Sequence, residues 1–190
     1  KESPEQYMSF WHIFGSALKE GPAEDFINRE RIASLFRYTS TKNDGSDQSV
    51  SFADYISRMK KDQDKIYYLV ADNLNAARNS TYLEVFLKKD IEVLLLTDRL
   101  DEWTLSHLFQ FDGKTLQDIT KGQLNDTIFG SSDDKDDKKE KKSPKILEKI
   151  KANLSTRVDS VSETRRLTDS PACLVYPENS LSPQMKKMMA

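Results

Sequence analysis

Asp72 and Asp98 each follow a short apolar run closely, Ile66-Tyr67-Tyr68-Leu69-Val70-Ala71 in the first case and Ile91-Glu92-Val93-Leu94-Leu95-Leu96 in the second. Two such runs in one open sheet would carry both carboxylates past its carboxyl ends, where ligands bind. There a pair of aspartates can hold Mg²⁺ for phosphoryl transfer. The simpler reading is that each Asp caps the loop or helix that follows it. Neither Asn73-Leu74-Asn75 nor Arg99-Leu100-Asp101 contains a glycine, so no phosphate-cradling loop follows either run. The single cysteine, Cys173, is flanked by apolar residues and reads as a structural thiol. His12 and His107 are far apart, so no zinc-ligand spacing can be written.

Two features suit contact with another chain. Trp103 follows Asp101-Glu102 in what reads as a polar turn, where its indole can present a large amphipathic surface or pack inward. Near the end of the chain, Leu181, Met185, Met188 and Met189 share one side of a helix opened by Ser182-Pro183, with Lys186 and Lys187 on the other. Methionine adapts to many shapes, so this face fits varied partners or packs on a further part of its own domain.

The elements that must position these residues are legible from caps and periodicity. Ser3-Pro4 starts a helix, and Tyr7, Phe10, Trp11, Phe14 and Leu18 recur along it as a face to be buried, up to a stop at Gly21-Pro22. Asn28 to Phe36 reads as a second helix and Thr39 to Gln48 as a polar loop, which makes residues 1–48 a helical coil. Ser51 with Asp54 caps a helix carrying Phe52, Tyr55, Ile56 and Met59. The run from Ile66 to Ala71, a helix from Asn75 to Lys88 broken near Ser80, and the run from Ile91 to Leu96 make a parallel βαβ unit within residues 49–124. Residues 131–142 contain no apolar side chain, so 125–142 reads as a disordered charged insert. Residues 143–190 begin a second unit, with a helix from Ser143-Pro144 bearing Ile146, Leu147, Ile150 and Leu154. Strands follow over Val158 to Leu167 and Ala172 to Tyr176. The fold class is α/β, α+β overall.

Composition removes whole classes of function. Across 190 residues, 29 Lys and Arg against 31 Asp and Glu leave a net charge of −2, unlike the basic surface of a nucleic-acid binder. No stretch approaches the roughly 20 apolar residues of a membrane span, and one cysteine suits a reducing, cytoplasmic setting. The chain opens without Met and closes in what reads as the first turns of a helix, as expected of a segment of a longer parent.

Several ordered motifs resemble the ninety-kilodalton heat-shock chaperone family, bacterial members above all. They are residues 18–26 (LKEGPAEDF), 51–60 (SFADYISRMK), 65–68 (KIYY), 91–103 (IEVLLLTDRLDEW), 111–114 (FDGK) and 166–172 (RLTDSPA). The resemblance implies the back of a middle domain over residues 1–124, a helical coil followed by a small αβα layer, then the start of a C-terminal dimerisation domain over 143–190, with a role in holding clients and in coupling an ATP-driven conformational cycle to that dimerisation domain. ATP and Mg²⁺ would belong to a missing N-terminal domain and the homodimer to missing C-terminal helices. The family hydrolyses ATP, whereas this segment is expected to carry no cofactor or nucleotide site and to be inactive alone. By the same resemblance, unfolded or partly folded client proteins are held at Glu102, Trp103 and Ser106, the last standing where bacterial members often carry another polar residue. A second client site falls on Leu181, Met185, Met188 and Met189. The rival reading, from the residues alone, is the Mg²⁺-dependent phosphoryl-transfer domain built on Asp72 and Asp98.

Overall fold

A computed structural model describes residues 3–43, 45–124, 144–178 and 180. The charged insert at 125–142 and the methionine helix lie outside the described residues.

Ser3 accepts a hydrogen bond from the Gln6 N–H and starts α1 (Pro4–Glu24). The inward stripe of α1 is Trp11, Gly15, Lys19 and Pro22. This corrects the aromatic face expected from spacing. Trp11 is buried, but Phe10 and Phe14 are 41% and 50% exposed, stacked on each other 5.2 Å between ring centres. The helix also runs through Gly21-Pro22 instead of stopping there. Proline forfeits one backbone bond, and the last turn is retained because it packs on α2 (Arg29–Ala33), a single short turn in place of the longer helix expected. Gly21 allows that approach, since a Cβ there would stand 2.8 Å from Ile32 Cγ2.

The polar loop after Phe36 hides a strand. Thr39–Ser40 forms β1, so the first third is not purely helical. Next come α3 (Phe52–Ser57), with the expected Ser51/Asp54 capping box, and β2 (Lys65–Val70). The region read as a broken helix is α4 (Leu74–Arg78), a 3₁₀ turn (Thr81–Leu83) and α5 (Glu84–Lys88). The second apolar run narrows to β3 (Leu94–Leu96). Residues 91–93 are buried but bond to turns and loops, with the Ile91 N–H donating to Phe86 and the Val93 N–H to the Thr41 hydroxyl. Then α6 (Asp101–His107) leads into a hairpin of β4 (Gln110–Phe111) and β5 (Lys114–Asp118). Its turn residues Asp112 and Gly113 have φ of 48° and 70°, the conformation for which Asp-Gly is favoured.

The five strands order as β1-β3-β2-β5-β4. β2 is parallel to both β3 and β5, as the βαβ reading requires for β3, and the two outer pairs are antiparallel. Side chains alternate between two cores. Ile66, Leu94 and Leu96 join Trp11, Phe36, Tyr38, Phe52 and Leu105 on one face. Tyr67, Leu69 and Leu95 join Ala77, Leu83, Val85 and Phe86 on the other. Tyr55 ties the first layer down, donating to the Glu92 carbonyl at 2.7 Å and accepting from the Tyr67 N–H at 3.0 Å.

Beyond the insert, α7 (Pro144–Asn153) forms as expected. The two strands expected over Val158–Leu167 and Ala172–Tyr176 do not. Among the described residues the first stretch finds no ladder partner, and the second makes only a bridge from Tyr176 to Lys121. β-branched composition cannot make a strand without a neighbour to receive its backbone bonds.

The layers are fastened by a buried charge. Lys19, 1% exposed, places Nζ 2.6 Å from Asp101 Oδ1 and 3.2 Å from Asp98 Oδ2. The Thr104 hydroxyl donates to the Lys19 carbonyl at 2.9 Å, so α6 is pinned to α1 by both side chain and backbone.

Two outcomes follow from this packing. Gly21→Ala should destabilise the chain by about 1–2 kcal/mol in urea unfolding, because overpacking against the stiff β-branched Ile32 outweighs the helix-propensity gain of about 1 kcal/mol. Lys19→Met should cost about 3–5 kcal/mol at pH 7, since it strands two carboxylates without their cation. The loss should shrink in acid, where protonated Asp101 no longer needs a cation.

Candidate functional site

The outer face of α6 brings together three of the residues singled out in the sequence. Asp101, Thr104 and Leu105 turn inward at helical spacing, leaving Glu102, Trp103, Ser106 and His107 on the other side. Trp103 therefore stands on a helix, not in the polar turn expected from its neighbours. The turn lies just before it, where the Asp98 carboxylate accepts from the Leu100 N–H at 3.0 Å and the Asp98 N–H donates to Asp101 Oδ2 at 2.9 Å.

Trp103 is half-buried, its ring 4.9 Å from that of His107 at 58°. His107 Nδ1 lies 2.9 Å from the Trp103 carbonyl oxygen, and the exposed Ser106 hydroxyl donates to the same carbonyl at 2.6 Å. Glu102 turns toward Lys121 just after β5, at 3.1 Å, and Lys121 also lies 3.6 Å from Asp118. The result is an aromatic ledge held from beneath by Lys19 and from the side by Lys121. Such a ledge offers an indole face, an imidazole and a hydroxyl already fixed in place, which lowers the entropy lost on binding a partner.

Electrostatics separate the two acids beneath the ledge. Burial lifts the Asp101 carboxyl above its usual range despite the adjacent Lys19. Burial also acts on Asp98, yet the Leu100 N–H, the Lys19 ammonium and the Ser16 hydroxyl together hold it below that range. Asp98 therefore contributes stability that is complete above its unfolded value of 3.8 and is lost as the pH falls through its lower folded value.

Asp72 and Asp98 do follow strand ends that are register partners, Val70 opposite Leu96. Asp98, however, is bound to Lys19, Ser16 and the Leu100 N–H, the capping role that the simpler reading gave it. Among the described residues no group of three or more His, Cys, Asp or Glu side chains is placed to hold a metal ion. Cys173 is half-buried, and burial raises its thiol above the ordinary range. His12 is exposed on the rim of a 340 Å³ cleft that also includes Trp11, Lys19, Gln48 and Asp98. Leu181, Met185, Met188 and Met189 lie outside the described residues.

Sequence reasoning missed Lys19. Its signal was available: it falls four residues after Gly15 and eight after Trp11, in phase with the buried stripe. It also missed Glu92, which accepts two bonds from the Arg58 guanidinium at 2.9 and 2.7 Å and one from the Ser40 hydroxyl at 2.6 Å.

Comparison with known proteins identifies the family. The profile of the family described as Hsp90 protein matches residues 1–190. The chain is 52% identical over 194 residues to Chaperone protein HtpG of Idiomarina loihiensis, covering 100% of this chain and 30% of that protein. It is 51% identical over 191 residues to Chaperone protein HtpG of Colwellia psychrerythraea (98% and 29%). With Chaperone protein HtpG of Coxiella burnetii it shares 50% over 190 residues (100% and 30%). It thus spans about 30% of the length of the curated relatives it matches. With the family profile matched from its first residue to its last, the chain belongs to the Hsp90 protein family.

Proposed function

We propose that this chain is the part of an ATP-driven chaperone that holds unfolded client proteins and passes conformational change between the αβα layer and the segment after the insert. ATP and Mg²⁺ would be bound elsewhere in the longer protein, which works in the cytoplasm as a homodimer dimerised through another segment. No helix among the described residues is long and apolar enough to cross a membrane.

One observation carries the client reading. Trp103 is a partly exposed indole on a helix fixed by a buried ion pair, next to a second ring and two polar side chains, Glu102 and Ser106. A chaperone must grip unrelated sequences, so it needs an anchor that gains energy from burying any apolar side chain. Leu181, Met185, Met188 and Met189 supply the complementary, deformable contact.

Trp103→Ala should weaken binding of a permanently unfolded model client about tenfold or more in fluorescence anisotropy, while the melting of the sheet stays nearly unchanged. Replacing Met185, Met188 and Met189 together with Ser should also weaken it. Undiminished binding by either variant removes that site from the reading, and a Trp103→Ala chain that no longer folds makes the indole a core residue.

A further inference from the structure

Among the described residues, the stretch from 145 to 178 adds no side chain to either hydrophobic core and is joined to the αβα layer by a series of hydrogen bonds. Among its described residues Arg166 alone is buried. Apolar side chains that could have formed a hydrophobic seam, Leu174 and Val175, are 58% and 45% exposed.

The contacts converge on one carboxylate. Glu84, the first residue of α5, accepts at Oε2 from three successive backbone N–H groups: Thr168 at 2.7 Å, Asp169 at 2.9 Å and Ser170 at 3.2 Å. Its Oε1 accepts from the Ser170 hydroxyl. On either side, the Arg166 guanidinium donates to the carbonyls of Ile119, at 2.9 Å, and Gly122. The Tyr82 hydroxyl donates to the Leu174 carbonyl at 2.5 Å. Tyr176 closes the seam, its N–H donating to Thr120 at 3.1 Å and its carbonyl accepting from Gly122 at 2.9 Å.

We propose that Glu84 is a latch whose carboxylate fastens the strap 164–176 to the αβα layer, and that releasing it uncouples the parts of the chain on either side of the insert. Four charge-assisted bonds on one side chain make a strong point contact. With little apolar area to re-expose, opening costs far less than separating a hydrophobic interface, which is what a reversible junction requires. The Ser170 hydroxyl and the backbone N–H groups hold the Glu84 carboxyl down at about 2, so it stays ionised across the neutral range. The latch deepens the coupling role proposed above and rests on that reading for its purpose.

Amide hydrogen exchange on the whole chain tests it. In Glu84→Gln, which keeps the shape but loses the charge, and in Glu84→Ala, the amides of Thr168, Asp169 and Ser170 should exchange at least tenfold faster. Trypsin should also cut sooner after Arg165, while the β2 and β3 amides keep their protection. Ser170→Asp, which sets a second carboxylate against Glu84, should open the strap as fully; Ser170→Ala should not. Unchanged exchange at 168–170 in both Glu84 variants overturns the latch, as does an equal loss of protection in β2 and β3. Measuring client binding by the same variants keeps the readings apart, because exchange at 168–170 decides the latch whatever happens at Trp103.

Discussion

One ammonium group, that of Lys19, joins the helical coil to the sheet layer and sets where α6 begins. A lone charge in this position would be costly to bury. It is tolerated because Asp101 and Asp98 lie within ion-pair distance and the rings of Trp11 and Tyr38 stand 5.7 and 5.4 Å away. The consequence is steric as well as electrostatic. To deliver Lys19 to these partners, α1 turns Gly15 and Pro22 inward with it and rolls Phe10 and Phe14 outward, so the most aromatic face of the helix is not its buried one.

From that anchor the geometry of the ledge follows. Asp98 and Asp101 knit the turn after β3 through reciprocal backbone bonds, and this turn aims the first residues of α6. Once Asp101, Thr104 and Leu105 are committed inward, the period of the helix leaves Ser106 exposed, Trp103 half-buried and Glu102 on the flank, its side chain largely covered. Lys121, arriving from the end of β5, then fixes Glu102. Asp98, one of the two carboxylates that invite a metal-site reading, thus serves with Asp101 as a brace for an adjacent surface. The two ends of the layer are held by different physics. The ledge sits over a packed core and a buried ion pair, whereas the strap beyond the insert lies on the surface and depends on Glu84, Arg166 and a few backbone bonds. A packed platform beside a segment held by polar contacts is the division that the proposed client-holding and coupling roles would call for.

Elements whose information is local were legible in the sequence: the Ser3 and Ser51 caps, the two apolar runs as neighbouring parallel strands, and the helix interrupted near Ser80. The family was legible as well, in motifs spread along the chain, and it was that resemblance which grouped Glu102, Trp103 and Ser106; the residues alone read Trp103 into a polar turn, and the structure puts all three on α6. What tertiary structure alone decided were the features that depend on a distant partner. Thr39–Ser40 is a strand only because Leu94–Leu95 lies beside it. Val158–Leu167 is not one because no neighbour among the described residues receives its backbone. Lys19 is buried only because two carboxylates some eighty positions later meet it. Periodicity reports which residues share a face; it cannot report which face the rest of the molecule will cover, since that is settled by where opposite charges and unpaired backbone groups find each other in space.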